Sequence, residues 1–156
     1  MSEVRAAPLP LPVAPFLKIP ADGNPYLEGC VCKRCDTTFV GQRLVCAKCG
    51  ARDEMATKRL SNKGSLYTYS IVHRSFPGVA VPYVSAVVDL VGGGSLKGNL
   101  INVAPDPKQI QFGMPVEVVY KDALGRKDSE GKSYLSYFFQ PCSGTEIGTA
   151  TERSAR

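Results

Sequence analysis

The chain has 156 residues, 44% of them hydrophobic, with 19 Lys and Arg against 14 Asp and Glu and a formal net charge of +5. That is room for one ordinary domain, or for a small metal module joined to a domain of about 100 residues. No apolar run reaches the ~18 residues of a membrane span, and the basic bias, scattered in pairs such as Lys33-Arg34 and Arg126-Lys127, is too mild for a nucleic-acid footprint.

Residues 1–25 read as an extended arm with prolines at 8, 10, 12, 15, 20 and 25. Proline fixes φ and removes amide donors, so neither a long helix nor a central strand fits there. Val13, Phe16, Leu17 and Ile19 put apolar side chains on the arm. Two readings stay open: an arm docked on a surface, its own or a partner's, or a disordered tail. Residues 1–15 carry one Arg, one Glu and four prolines and lack the apolar core of a signal peptide. That points to the cytoplasm, where thiols stay reduced and a cysteine cluster binds metal rather than forming disulfides.

Residues 26–60 read as a rubredoxin-like zinc ribbon. Cys32-Lys33-Arg34-Cys35 and Cys46-Ala47-Lys48-Cys49 are separated by ten residues, the spacing of two paired knuckles. Two residues between cysteines let both sulfurs face one ion, and Gly50 permits the left-handed turn that closes the second knuckle. Four thiolates complete a tetrahedron and leave no position for water, so the expected ion is one structural Zn²⁺ per chain. Cys30, two residues before Cys32, is either a substitute ligand or a small buried hydrophobe.

Residues 61–142 turn to a two-residue period broken by turn residues. Strands are expected at 65–73, at 83–90 with Val84, Ala86, Val88 and Leu90 on one face, at 94–103, at 116–121 and at 133–140. Gly92-Gly93-Gly94 favours a hairpin between the second and third. Residues 104–114, with Pro105 and Pro107, leave space for one short helical turn. Five strands with the long insert after the third match a small Greek-key OB-fold barrel, although an open sheet satisfies the same pattern. The tail, residues 143–156, is small and polar and reads as disordered.

A catalytic set is missing from this inventory. His73 is the one histidine, and a nucleophilic pair would require it to meet Cys142 or another thiol with a third group orienting the imidazole. The three glycines at 92–94 lack the Lys-Ser/Thr of a phosphate loop. No catalytic residue is therefore assigned, and no activity is expected of the chain alone.

The order of arm, paired knuckles and barrel, with Pro82-Tyr83-Val84, Gly113-Met114-Pro115-Val116 and Phe138-Phe139-Gln140-Pro141 inside the barrel, resembles the zinc-ribbon/OB-fold family filed as domain of unknown function thirty-five. The likeness runs from about residue 26 to 142. Members of that family are mostly non-catalytic partners of thiolase-like enzymes. The resemblance implies an accessory subunit in a hetero-oligomer with a thiolase-like catalytic subunit, which helps shape the acyl-CoA channel and supports that subunit. A CoA thioester would be the substrate of the complex, in acyl transfer or C–C bond formation or cleavage. Cys32, Cys35, Cys46 and Cys49 would carry the metal role, and His73, Arg74, Phe76 and Tyr83 would contact partner or substrate. The sequence departs from the family in having Pro20 and Pro25 where many relatives have a helix. It also keeps only Arg43 of a Pro-Pro-Arg before the second knuckle. The alternative is a single-stranded nucleic-acid-binding module, in which Tyr67, Tyr69, Tyr83, Tyr134 and Tyr137 would stack bases. A third reading is an independent acyl-CoA-binding protein or enzyme.

Overall fold

A computed structural model describes residues 9–142; the segments 1–8 and 143–156, and the expectations for them, lie outside those residues. Ten strands follow one another: β1 Leu11–Pro12, β2 Leu17–Lys18, β3 Tyr26–Cys32, β4 Thr38–Val40, β5 Met55–Arg59, β6 Lys63–Val72, β7 Tyr83–Leu90, β8 Ser95–Leu100, β9 Pro115–Lys127 and β10 Ser133–Pro141. Among the described residues no helix is long and apolar enough to cross a membrane.

Strands β6 to β10 form a closed five-stranded barrel of OB type. The antiparallel run β9-β6-β7-β8 is completed by β10, which pairs antiparallel with β9 and parallel with β8. The sequence period is visible in β7, whose Val84, Ala86, Val88 and Leu90 are all buried while the intervening residues are partly exposed. Phe139 of β10 is fully buried among them. The seam between β8 and β10 is short, with the single paired position Leu100–Phe139. Beyond it the two strands splay, and β1 adds to β10 in parallel, with the Val13 amide donating to the Leu135 carbonyl at 3.1 Å.

The arm is thus built into the body of the protein. Leu17 pairs with Leu27 of β3 and is fully buried, and the Phe16 ring lies 5.6 Å from that of Tyr137. Among the described residues, 9–25 thus lie against the ribbon and barrel of the same chain.

The ribbon is β3 flanked by β4 and β5. One strand serves two centres: Leu27 at the start of β3 belongs to the barrel core with Leu60, Leu66 and Val116, while Cys32 at its end belongs to a separate cluster with Cys46 and Ala51. The hairpin turn between β7 and β8 packs on the ribbon. Gly93 has φ of +101° and faces Thr38 so closely that a Cβ there would lie 2.9 Å from the Thr38 Cβ. Beside it Lys58 Nζ donates to Thr38 Oγ1 (3.2 Å) and to the Gly92 carbonyl (2.8 Å), tying ribbon to barrel.

Three sequence expectations are corrected. Residues 104–114 contain hydrogen-bonded turns, such as Gln109 N to Asp106 O at 2.9 Å, and no helix. Two prolines within three residues deny a helix its amides. The fourth barrel strand does not stop at 121 but continues to Lys127 through a wide bulge in which Leu124 and Gly125 both take positive φ. The third strand ends at Leu100 because Asn102 turns left-handed, at φ 59°.

Candidate metal centre

The four knuckle cysteines converge at the far end of β3. Each knuckle closes in the same way. The Cys32 amide donates to the Thr37 carbonyl (3.0 Å) and the Asp36 amide to the Cys32 carbonyl (2.8 Å). In the second, the Cys46 amide donates to Ala51 O (2.9 Å) and the Gly50 amide to Cys46 O (2.9 Å). The residue after the second cysteine is left-handed in both, Asp36 at φ 54° and Gly50 at φ 72°. Sequence reasoning found Gly50 and missed Asp36. The signal was available, since Asp tolerates the left-handed region better than most residues and holds the equivalent position.

Cys35 Sγ lies 3.5 Å from Cys46 Sγ, Cys32 Sγ lies 3.7 Å from Cys49 Sγ, and all four sulfurs fall within 4.8 Å of one another. A disulfide would require about 2.05 Å, and all four thiols are free. A tetrahedron of sulfurs at the usual ~2.3 Å from a zinc-sized ion has edges of roughly 3.8 Å. The cluster fits a zinc ribbon, and it is already nearly the size the ion requires.

The electrostatics agree. The Thr37 hydroxyl and amide, both bonded to the Cys35 sulfur, hold that thiol down to about 6, and the amides of Cys49 and Lys48 lower Cys46. Cys49 receives the Ala51 amide too, but burial and its three sulfur neighbours outweigh it and push it up to about 11. Three of the sulfurs thus receive backbone donors that stabilise thiolate, while their crowding opposes full ionisation of the set. A divalent cation at the centre removes that conflict.

The other two cysteines lie elsewhere. Cys30 is fully buried in β3 between Phe39 and Thr57 and is not one of the four converging sulfurs, so it is the small buried hydrophobe. The Cys142 amide donates to Pro115 O, and Pro115 pairs with Ser65 at the start of β6. His73 follows the opposite end of that strand, roughly 25 Å away at ~3.3 Å per residue. The one histidine and the one cysteine outside the ribbon therefore do not meet. Cys142→Ser should leave metal content and melting temperature unchanged within error; loss of metal, measured by elemental analysis, would overturn the ligand assignment.

The remaining sequence-derived residues gather in the loop 73–82 between β6 and β7. His73, Arg74 and Phe76 are exposed, Phe76 at 84%, and none of the three side chains makes a hydrogen bond or ion pair among the described residues. Tyr83 is half-buried opposite Val72. The Val79 amide bonds to the Phe76 carbonyl at 3.1 Å, a tight turn that presents the phenyl ring outward. No hydrogen bond or ring contact joins this loop to the cysteine cluster among the described residues, so the chain carries two separate candidate sites.

Comparison with known proteins gives the family. The model of the C-terminal OB-fold domain of ChsH2 matches residues 57–121. The DUF35 domain-containing scaffold protein of Methanocaldococcus jannaschii is 34% identical over 118 residues, which are 74% of this chain and 81% of that protein. The chain belongs to the DUF35 family. The chain is also similar to the benzoylsuccinyl-CoA thiolase subunit BbsA of Geobacter metallireducens, 36% identical over 76 residues, 48% of this chain and 51% of that one. Among solved structures, the Ltp2-ChsH2(DUF35) aldolase is similar with a TM-score of 0.58 and 29% identity, over 74% of this chain and 84% of that chain.

Proposed function

We propose that this DUF35 chain is a non-catalytic accessory subunit of a thiolase-type complex that processes acyl-CoA, by acyl transfer or by making or breaking a C–C bond. In this reading the four cysteines hold one structural zinc ion. Cys32, Cys35, Cys46 and Cys49 would bind it as thiolates, and its chemistry is structural because four sulfurs fill the tetrahedron. The thiolase-like subunit supplies the catalytic groups, and this chain binds beside the acyl-CoA channel and steadies it.

The observation that carries the reading is the loop 73–82: an 84% exposed phenylalanine next to an unpaired arginine, on a rigid barrel, in a chain 36% identical to a thiolase subunit over the matched segment. Loops on rigid scaffolds concentrate binding groups, and Arg and aromatic residues dominate interface energetics. The Arg74 guanidinium is a planar fork suited to a partner carboxylate or a CoA phosphate. Nucleic-acid binding finds less support. The outward face of β7 and β8 carries Lys97 as its one cation beside Asp89, which is a poor track for a phosphate backbone.

The test is reconstitution with the thiolase-like subunit of the same organism. The chain alone should show no thiolase turnover, and the pair should be active. Arg74→Ala combined with Phe76→Ala should weaken association about tenfold or more, while metal content holds and stability changes by no more than about 0.5 kcal/mol per site. A double variant that assembles and turns over like wild type would remove the loop from the interface. Turnover by the chain alone would remove the accessory role.

A further inference from the structure

The four knuckle cysteines differ in how far solvent reaches them, and the difference follows their pairing. Cys32 and Cys46 are 0% and 1% exposed, Cys35 is half-buried and Cys49 is exposed. The sulfur–sulfur contacts of hydrogen-bond type are Cys32 with Cys49 at 3.7 Å and Cys35 with Cys46 at 3.5 Å. Each contact therefore couples a reachable cysteine to a buried one. Both run between the knuckles, across 17 and 11 residues of chain, and none joins the two cysteines of one knuckle among the described residues.

We infer that the ribbon is a site of reversible oxidation by hydroperoxides, at which Cys32–Cys49 and Cys35–Cys46 disulfides form across the knuckles as the metal ion leaves. The inference rests on the zinc-ribbon reading and is independent of the accessory role. A dissolved oxidant attacks the thiolate that solvent reaches. The Cys49 sulfur takes one peroxide oxygen: an S–O bond forms, the O–O bond breaks, and the departing oxygen gains a proton from water. The product is an alcohol, or water where the oxidant is hydrogen peroxide. The neighbouring Cys32 sulfur then attacks the Cys49 sulfur, so that the S–S bond forms and the S–O bond breaks. Hydroxide departs and is protonated to water. Two thiolates are oxidised and one hydroperoxide is reduced, and Cys35 with Cys46 repeats the sequence on a second. Closing either contact to the ~2.05 Å of a disulfide needs a shift of roughly 1.5 Å. A disulfide sulfur no longer offers thiolate charge, so the ion loses its ligands in pairs.

The pairing decides what oxidation does to the fold. The spacing of each knuckle also permits a disulfide within it, and two such bonds would close two loops with nothing joining them. Bonds between the knuckles instead tie the end of β3 to the second knuckle twice over, so covalent links take the place of the ion. Thr38, which follows the first knuckle, then keeps its place against Gly93, and Lys58 keeps its bonds to Thr38 and the Gly92 carbonyl. The oxidised chain holds its ribbon on the barrel without metal, and reduction by a dithiol returns four thiols to the ion.

The experiment treats the full metal-loaded chain with hydrogen peroxide and follows zinc release with a chromogenic chelator. About one ion per chain should appear, and dithiothreitol with added zinc should restore the starting metal content. The disulfides are then mapped by mass spectrometry of unreduced tryptic peptides. Lys33 and Arg34 lie between Cys32 and Cys35, and Lys48 lies between Cys46 and Cys49, so trypsin puts the four cysteines on separate peptides. Cys30 shares the Cys32 peptide, and fragmentation at Val31 tells the two apart. The expected map joins Cys32 to Cys49 and Cys35 to Cys46. Hydrogen exchange over residues 32–56 should stay protected in the oxidised chain and lose protection in the chain stripped by a chelator. Disulfides within the knuckles, sulfinic acid at Cys49 without a disulfide, or equal loss of protection in both samples overturns the inference and leaves the zinc ribbon standing. A wild-type chain that holds no zinc before oxidation overturns the zinc reading itself.

Discussion

Cys46→Ser should lose its metal ion and with it the order of the ribbon end, while the barrel survives. Cys46 is 1% exposed, its sulfur lies 3.5 Å from that of Cys35, and its amide and carbonyl both close the second knuckle. A hydroxyl does not replace the thiolate, and the binding free energy of a structural zinc site, on the order of 10 kcal/mol, is folding free energy for the segment that forms it. Its apolar support is small: Cys32, Cys46 and Ala51 buried, with Cys35, Phe39 and Met55 against them. Such a cluster does not hold two knuckles together once the sulfurs lose their common ion. The barrel has its own core, which includes Leu66, Val88, Val116 and Phe139 and shares no residue with that cluster. Hydrogen exchange should therefore show loss of protection over residues 32–56 and retained protection in β7, and a chelator should reproduce the pattern in the wild-type chain. The melting temperature of the remainder should fall, because Thr38 and Lys58 brace the β7–β8 turn from the ribbon side. Loss of protection throughout β7 would mean that the metal centre organises the whole chain. Unchanged metal content would remove Cys46 from the ligand set.

The parts of this molecule that were legible in the sequence are those whose determinants are local. The knuckles are spelled by spacing alone, and the Cys32, Cys35, Cys46 and Cys49 sulfurs converge as that spacing requires. β7 is spelled by its alternation and begins and ends where expected, at Tyr83 and Leu90. The bulge in β9 was not legible, because Asp122, Leu124 and Gly125 read as the end of a strand. Only the pairing of Lys127 with Ser133 and of Asp122 with Leu135 on β10 shows that the strand resumes. Nor was the exposure of Leu44, at 85%, legible from its sequence neighbours. It stays outside because the sulfur cluster, not an apolar layer, anchors that end of the ribbon. His73, Arg74 and Phe76 lie in an exposed segment where Pro77 and Gly78 announce a turn after a β-branched run, although the strand expected over 65–73 stops one residue earlier, at Val72.

The proline arm is where periodicity is least informative and where the second large effect is expected. Leu17→Ala should cost about 2–5 kcal/mol, the usual range for a leucine removed from a core. Leu17 is fully buried, is paired with Leu27 across β2 and β3, and belongs to the same apolar cluster as Leu60, Leu90 and Phe139. Proline denies the arm a helix or a central strand, but it does not stop two short extended pieces from lying along existing edges, and that is what β1 and β2 do. β1 covers the part of β10 that β8 leaves unpaired, and β2 extends the ribbon sheet beside β3. Between them Phe16 reaches Tyr137, whose hydroxyl donates to the Lys97 carbonyl at 2.8 Å, so the arm also steadies the short seam between β8 and β10. Val13 is 40% exposed, and Val13→Ala should cost within about 0.5 kcal/mol. The contrast between positions 13 and 17 in urea denaturation separates the two roles an arm of this kind can have. Equal and small effects at both would show that the arm sits on the surface without supporting the fold, and would return it to the list of partner-binding segments. A large effect at 17 alone places it in the core of the barrel, as a segment that supports the fold.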